Sequence, residues 1–103
     1  MPTADKVKPR KWRDISVLFD NGWYSVISGR YEGKRNLGER WNGNGKSIGY
    51  PSQGGNPLWH VVPSFLRIAI LHGLLDEIGL KRSYSKFAPL VTKEILMWQR
   101  RGR

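Results

Sequence analysis

The stretch "DISVLFDNGWYSVISGRYE", residues 14–32, decides the fold of this 103-residue chain. Two runs rich in β-branched and aromatic residues flank Asn21-Gly22, a pair that tolerates positive φ at both central positions of a type I′ turn. The pattern therefore predicts a β-hairpin with a two-residue turn. Such a turn would place Phe19 opposite Tyr24. The core face of the hairpin would then consist of Ile15, Val17, Phe19, Tyr24 and Val26.

A third strand follows the hairpin. Gly33 permits a second chain reversal, and "LGERW" (37–41) predicts a returning strand. One side of this strand would carry Leu37, Glu39 and Trp41. Residues 42–57 are rich in glycine and asparagine and too long for a simple turn, so they predict a long irregular loop. The next segment, "PLWHVVP" (57–63), predicts a short strand, because proline is tolerated at strand ends.

Two amphipathic helices are predicted in the C-terminal part of the chain. Pro63 and Ser64 suit the start of the first helix, which Gly79 ends. Its apolar stripe would consist of Ile70, Leu71, Leu74, Leu75 and Ile78. The second helix follows from about Pro89. Its polar face would carry Lys93 and Arg100, and its apolar face Leu90, Val91, Ile95 and Trp98. This order predicts an α+β fold: a three- or four-stranded antiparallel meander, a long glycine-rich loop and two C-terminal helices.

Basic charge is concentrated at the two ends of the chain. The formal net charge is +10; residues 1–13 hold five Lys/Arg against one Asp, and residues 80–103 hold seven against one Glu. Residues 14–79 are balanced, with six of each sign. The pattern predicts a basic, flexible N-terminal arm over 1–13 and a single domain over 14–103 with a basic C-terminal end. Such a charge distribution would attract polyanions.

The sequence also limits the compartment in which we expect the protein. It contains no cysteine, so folding would depend on burial of apolar surface rather than on disulfides. The N-terminus lacks the apolar core of a signal peptide, and Arg67, His72 and Gly73 interrupt the longest apolar stretch. We therefore expect a cytoplasmic protein with no membrane partner.

The segment "NGNGKS" (42–47) invites comparison with the phosphate-binding loop GxxxxGK[ST]. The first glycine of that motif would have to stand where Arg40 stands. Gly49 and Pro51 would also interrupt the helix whose N–H groups must face the phosphates. The motif fails, so we expect an exposed glycine-rich loop and no cofactor.

The two histidines give little support to catalysis or metal binding. His72 has Asp76 one helical turn later, an arrangement that can orient a general base but is also common on helix surfaces. With no cysteine and no nucleophile elbow we expect no enzyme, and an enzyme that uses His60 or His72 is only a third hypothesis. The histidines are twelve residues apart and no HExxH pattern or acidic loop is present, so we expect no metal.

Aromatic and basic residues supply the candidate binding surface. Trp41, Tyr50 and Trp59 lie in or beside the long loop, where exposed rings would suit stacking on bases. The simpler alternative is that Trp41 and Trp59 are core residues that hold the loop in place. Near each chain end a tryptophan adjoins cations that could contact phosphates, although basic ends can also merely aid solubility. The candidates are Lys11, Trp12, Arg13, Arg40, Trp41, Lys46, Tyr50, Trp59, His60, Arg100 and Arg101.

Three elements, "LGERWNG" (37–43), "GYPSQGG" (49–55) and "PLWHVVPSFL" (57–66), resemble small bacterial proteins of unknown function found as mobile integron gene cassettes. That family has an LGxRWNG element, a GxPxSRG-like loop, a Pro-x-Trp strand and a proline-led helix. This chain has Gln-Gly-Gly at 53–55 where an arginine is expected and His60 where an aromatic residue is expected, so no ligand contact of that arginine is carried over. The resemblance implies a compact cytoplasmic protein and brings no catalytic residue. It implies that one structural unit is built by Trp41, Asn42, Gly43, Pro57 and Trp59.

The first functional hypothesis is a non-enzymatic binding module for an anionic partner, with nucleic acid as the first choice. The alternative is a protein-interaction or self-associating module whose basic ends play no part in binding. On the first helix, Phe65, Leu66 and Ala69 point away from the main apolar stripe. The start of this helix therefore predicts a homodimer contact, unless the second helix covers these residues within one chain.

Overall fold

The computed structural model describes residues 11–42, 49, 52–53, 56–57 and 59–101. Contacts within the chain concentrate in two compact units, Met1–Val62 and Pro63–Arg103. The first unit contains the strands and the second contains the helices. The fold is α+β, as predicted.

The strands of the first unit are β1 (Trp12–Asp20), β2 (Tyr24–Tyr31), β3 (Lys34–Trp41), β4 (Ser52–Gln53), β5 (Asn56–Pro57) and β6 (His60–Val61). Antiparallel pairing in the order β1-β2-β3-β6 forms one sheet, and β4 pairs with β5 separately. The four-stranded sheet confirms the predicted meander, and β6 confirms the predicted short strand. Most of the predicted long loop lies outside the described residues.

The first strand begins earlier than predicted. Trp12 and Arg13 belong to the predicted arm over 1–13, whereas the structure pairs both of them with the end of β2. The physical reason is that the Trp12 side chain is only 3% exposed, and burial of its ring extends the sheet toward the N-terminus. Residues 1–10 lie outside the described part of the chain.

The first hairpin forms, but its turn is longer than predicted. The last paired residues are Asp20 and Ser25. Between them, Asn21 Oδ1 accepts hydrogen bonds from the backbone N–H groups of Trp23 and Tyr24, both at 2.9 Å. This side-chain cap replaces the expected type I′ turn, because asparagine can hydrogen-bond the backbone two residues further along the chain.

The longer turn shifts the register of the hairpin, so the predicted core face is wrong. Phe19 pairs with Val26 instead of Tyr24, and an irregularity between Val17 and Phe19 puts Val17 opposite Ile27. Successive side chains of a strand point to opposite faces, so Val26 and Ile27 lie on different sides of the sheet. Both are fully buried, and β2 is therefore buried on both faces.

A two-residue turn occurs in the second hairpin instead. Glu32 and Gly33 connect β2 to β3 with φ angles of 51° and 84°. A type I′ turn requires positive φ at both central residues. β3 then pairs with β2 in continuous register. As predicted, one side of β3 carries Leu37, Glu39 and Trp41.

The apolar cluster of the first unit is built around Trp12. A Cβ atom at Gly38 would lie 3.0 Å from Cζ2 and Cη2 of Trp12, and one at Gly29 would lie 3.3 Å from its Cε3. The indole thus lies over two glycines on neighbouring strands, which leave room for the ring. The other members of the cluster are Ile27 and Trp59, with Ile15, Val17, Tyr31 and Val61 packed against it.

The second unit contains a 3₁₀ turn (Ser64–Leu66), α1 (Arg67–Ile78), a 3₁₀ segment (Arg82–Phe87) and α2 (Ala88–Arg101). The chain enters α1 through the 3₁₀ turn rather than directly at Ser64, because the Leu66 N–H donates to the Pro63 carbonyl at 2.9 Å. α1 ends before Gly79, as predicted. On α2 the predicted apolar face is confirmed for three residues, which are buried, whereas Leu90 is exposed. The three are Val91, Ile95 and Trp98.

Candidate functional site

Burial separates the candidate binding residues into two groups. Trp12, Arg40 and Trp59 are buried and present almost no surface to a ligand, so they leave the candidate surface. The exposed candidates are Lys11, Arg13, Trp41, His60, Arg100 and Arg101. Lys46 and Tyr50 lie outside the described residues. Of the two tryptophans that the simpler alternative placed in the core, Trp59 is there and Trp41 is not.

Asn42 is fully buried and joins three segments of the first unit through hydrogen bonds. Its side chain accepts a bond from Ser25 Oγ at 2.9 Å and donates one to Asp20 Oδ1 at 3.2 Å. Its backbone N–H donates to the Trp23 carbonyl at 2.6 Å. Two residues earlier, burial lowers the pKa of the Arg40 guanidinium. These two side chains of the "LGERWNG" element are therefore parts of the interior.

One face of the sheet carries a polar and aromatic group that we call the Glu39 cluster, consisting of Tyr24, Glu39, Trp41 and His60. The strand register assembles it, because Tyr24 lies opposite Trp41 and Glu39 lies opposite His60. Tyr24 Oη donates to Glu39 Oε1 at 2.7 Å, and His60 Nδ1 lies 3.6 Å from Glu39 Oε2. The rings of Tyr24 and Trp41 pack at a tilt of 55°, with centroids 5.2 Å apart.

The Glu39 cluster is partly open to solvent. The Trp41 side chain is 57% exposed and that of Glu39 is 28% exposed. Burial raises the pKa of Tyr24, and the hydrogen bond to Glu39 and the charge of that carboxylate raise it further. The phenol therefore stays protonated and keeps donating to Glu39. The cluster presents an aromatic face beside a carboxylate whose position is fixed.

The second unit contains a group that we call the Trp98 cluster, consisting of Arg67, Glu94, Trp98 and Arg101. Trp98 Nε1 donates to Glu94 Oε2 at 3.0 Å, one helical turn earlier, and both side chains are buried. The guanidinium carbon of Arg67 lies 4.1 Å from the centroid of the Trp98 ring, and that of Arg101 lies 5.7 Å from it. Two cations from different helices thus meet at one indole.

The two guanidiniums of the Trp98 cluster repel each other. Burial lowers the pKa of Arg67, and the charge of Arg101 lowers it further. Arg67 is also the first residue of α1, where the helix dipole disfavours a cation. An anion bound between the two arginines would relieve both effects, since opposite charges attract at short range.

The remaining charges differ between the two units. Described residues 63–101 hold seven Lys/Arg against three Asp/Glu, of which Glu94 is buried. In the first unit, Lys11 Nζ lies 3.2 Å from Glu32 Oε1, and Arg30 Nε lies 3.7 Å from Asp14 Oδ2. These ion pairs offset part of the positive charge there. Among the described residues, the second unit therefore has the larger excess of basic over acidic residues, seven against three compared with six against four in the first unit.

His72 is exposed on α1. Across the parts of the chain that the structure describes, no group of three or more His, Asp or Glu side chains could hold a metal ion. Among the described helices, none has both the length and the apolar character needed to cross a bilayer.

The sequence-based candidates do not include Tyr24, Glu39, Arg67 and Glu94 of these clusters. Tyr24 is assigned to the wrong face by the expected register, and the correct pairing with Trp41 depends on the turn length. Glu39 could have been found from the sequence, since it stands two residues before Trp41 in β3 and therefore shares one side of the strand with it. For Arg67 the sequence offers no such signal, because its contact with Trp98 joins two helices that are separate in the sequence.

The chain matches no protein-family model, no curated protein and no solved structure.

Proposed function

We propose that this protein binds nucleic acid through the basic surface of its second unit, around the Trp98 cluster. The observation that carries the proposal is the meeting of Arg67 and Arg101 at one indole, 4.1 and 5.7 Å from the ring centroid. A phosphate between two guanidiniums gains charge-assisted hydrogen bonds and relieves their repulsion. A cytoplasmic location is part of the same proposal.

Other cations of the second unit extend this surface. The exposed ones are Lys81, Arg82, Lys86, Lys93 and Arg100. Lysine and arginine that neutralise backbone phosphates supply affinity without sequence preference. Arginines in the last turn of α2 would also stabilise the helix dipole, which is an alternative reason for their presence. That reason does not extend to Arg67, which stands at the opposite end of a helix.

The proposal is tested with the double variant Arg100→Gln/Arg101→Gln and a fluorescein-labelled single-stranded oligonucleotide. We expect affinity at low salt to fall at least about tenfold, since a hydrogen bond to a charged group contributes about 1.5–3 kcal/mol. The slope of log K against log salt should shrink by about 0.7 for each phosphate that the variant no longer neutralises on a single strand, and by about 0.9 on a duplex. Fluorescence anisotropy over a salt series measures both quantities.

The matched control is Lys11→Gln/Arg30→Gln, which removes the same charge from residues that are paired with Glu32 and Asp14. We expect this control to bind almost as tightly as the wild type. Equal losses in the two double variants, or no binding by the wild type at low salt, would contradict the proposal. Deletion of residues 1–13 is unsuitable as a test, because it removes the buried ring of Trp12.

We also propose that the chain self-associates through the start of α1, because one observation favours this second function. The Phe65 side chain is 72% exposed, and Leu66 and Ala69 are exposed as well. The sequence allowed the second helix to cover these residues within one chain. Because they are exposed, it does not cover them. Exposed apolar groups in a contiguous patch usually mark an interface.

Sedimentation velocity at micromolar concentration tests this second proposal. We expect a dimer for the wild type and a dissociation constant at least about tenfold weaker for Phe65→Ser, because a buried Phe side chain contributes about 1.5–3 kcal/mol. Leu80→Ser is the control, since Leu80 is equally exposed but lies beyond the other end of α1. A monomeric wild type, or the same shift in both variants, would overturn the proposal.

A further inference from the structure

We propose that the Glu39 cluster is a base-recognition pocket for single-stranded nucleic acid, in which guanine stacks on Trp41 and donates hydrogen bonds to Glu39. The inference rests on the proposed nucleic-acid function and concerns a different surface, on the first unit. It adds sequence preference to a binding mode that is otherwise independent of sequence.

Trp41 offers an exposed ring that is held in place by Tyr24. Its indole is 57% exposed, yet the ring packs against Tyr24 with centroids 5.2 Å apart. An aromatic ring that is open to solvent and held on one side loses little conformational freedom when a base stacks on it. Stacking on exposed aromatic side chains is the usual way in which proteins hold unpaired bases.

The Glu39 carboxylate lies close to the Trp41 ring along the strand. Glu39 and Trp41 lie two residues apart on one side of β3, which places their Cα atoms about 6.6 Å apart. A base stacked on the indole can therefore turn its edge toward the carboxylate. Tyr24 Oη holds Glu39 Oε1 at 2.7 Å, so the acceptor is already oriented before a ligand arrives.

Glu39 has hydrogen-bonding capacity beyond its bond with Tyr24. An ionised carboxylate only accepts, and its two oxygens offer about four lone-pair sites. Tyr24 occupies one of them, and His60 Nδ1 lies 3.6 Å from Oε2, beyond hydrogen-bond distance. The site therefore selects an edge with adjacent donors. Guanine has such an edge, with N1–H beside the N2 amino group, whereas adenine, cytosine and thymine have no two adjacent donor groups on that edge.

Two kinds of donor ligand would suit the Glu39 cluster. A carboxylate beside aromatic rings would also suit an ammonium or guanidinium group of a basic peptide. The chain carries a formal net charge of +10, so long-range electrostatics repel a basic peptide and attract a nucleic acid. The observations therefore favour the donor edge of a base on an anionic strand.

Anisotropy with three labelled probes tests this inference: an oligothymidylate, the same strand with one central guanine, and the same strand with hypoxanthine in place of that guanine. We expect the guanine strand to bind roughly tenfold more tightly than the other two, since one bidentate base contact gives discrimination of that order. Hypoxanthine lacks the N2 amino donor, so this comparison needs no protein variant.

Glu39→Gln should abolish the guanine preference, so that the variant binds the three strands with equal affinity. Trp41→Ala should weaken binding to all three strands. Equal binding of the three probes by the wild type would overturn the base-recognition pocket and leave the nucleic-acid function standing. Absence of binding to any probe would overturn both. A basic peptide that binds the wild type but not Glu39→Gln would assign the pocket to a protein partner and so also overturn the inference.

Discussion

Trp12→Ala is expected to lower the free energy of unfolding by about 4 kcal/mol, because truncation of a buried tryptophan costs about 3–5 kcal/mol. The side chain is only 3% exposed. Its indole lies over Gly38 and Gly29, which have no side chains that could move into the vacated space. The free energy of unfolding of a small domain is about 5–15 kcal/mol, so the variant should lose between about a quarter and most of its stability. Urea denaturation followed by circular dichroism measures the change.

Trp23→Ala is the matched control for this experiment. Trp23 lies in the turn of the first hairpin and its side chain is 72% exposed. The same chemical change at this place should alter the free energy of unfolding by less than about 0.5 kcal/mol. If Trp12→Ala were as stable as this control, the ring would not be part of the core. The domain would then begin near Asp14, as the sequence predicts.

The difference between Trp12 and Trp41 shows where sequence reasoning ends. Each tryptophan stands beside arginine and near a chain segment of unusual composition, and local pattern does not distinguish them. Trp12 is buried because Gly29 and Gly38 on two other strands leave space for its ring. That space depends on the pairing of β1 with β2 and of β2 with β3. The space exists only in the assembled sheet and cannot be predicted from a local stretch of sequence.

Strand positions follow from period-two patterning, whereas the register of the first hairpin does not. The pair Asn21-Gly22 is compatible with a type I′ turn, but Asn21 uses its side chain to cap Trp23 and Tyr24 instead. The competing turns have similar local propensity, and side-chain hydrogen bonds decide between them. A change of register moves side chains to the other face. This is why Tyr24, expected in the core, is found in the Glu39 cluster.

The Trp98 cluster shows a second limit of prediction from the sequence. The apolar periodicity of α2 predicts that Trp98 is buried, and it is. Periodicity does not predict that Arg67 will cover the indole, since that contact requires the crossing geometry of two helices. Charged residues are therefore easy to count from sequence but hard to place. The basic C-terminal end is predicted, while the pairing of its Arg101 with a cation of α1 emerges only in three dimensions.

Gly49→Ala is expected to cause the second large loss of stability, about 3 kcal/mol. Gly49 has a φ angle of 82°, a conformation that costs a residue with a Cβ atom about 1–2 kcal/mol. A Cβ atom there would also collide with the Trp41 carbonyl oxygen and would lie 2.6 Å from the Asn42 carbonyl carbon and from Arg40 Nη2. Relief of the collision would strain the hydrogen bond from Asn42 N–H to the Trp23 carbonyl. Overpacking therefore adds about 1–3 kcal/mol to the loss of stability.

Gly22→Ala separates the two contributions to this loss. Gly22 has a φ angle of 90°, but no atom lies within 4 Å of the place where a Cβ would stand. Its substitution should therefore cost only the backbone part, about 1–2 kcal/mol. The difference between the two variants in urea denaturation then measures the collision alone. Equal losses would mean that Gly49 does not approach the end of β3. A larger loss for Gly49→Ala would show that Gly49 packs closely against the end of β3.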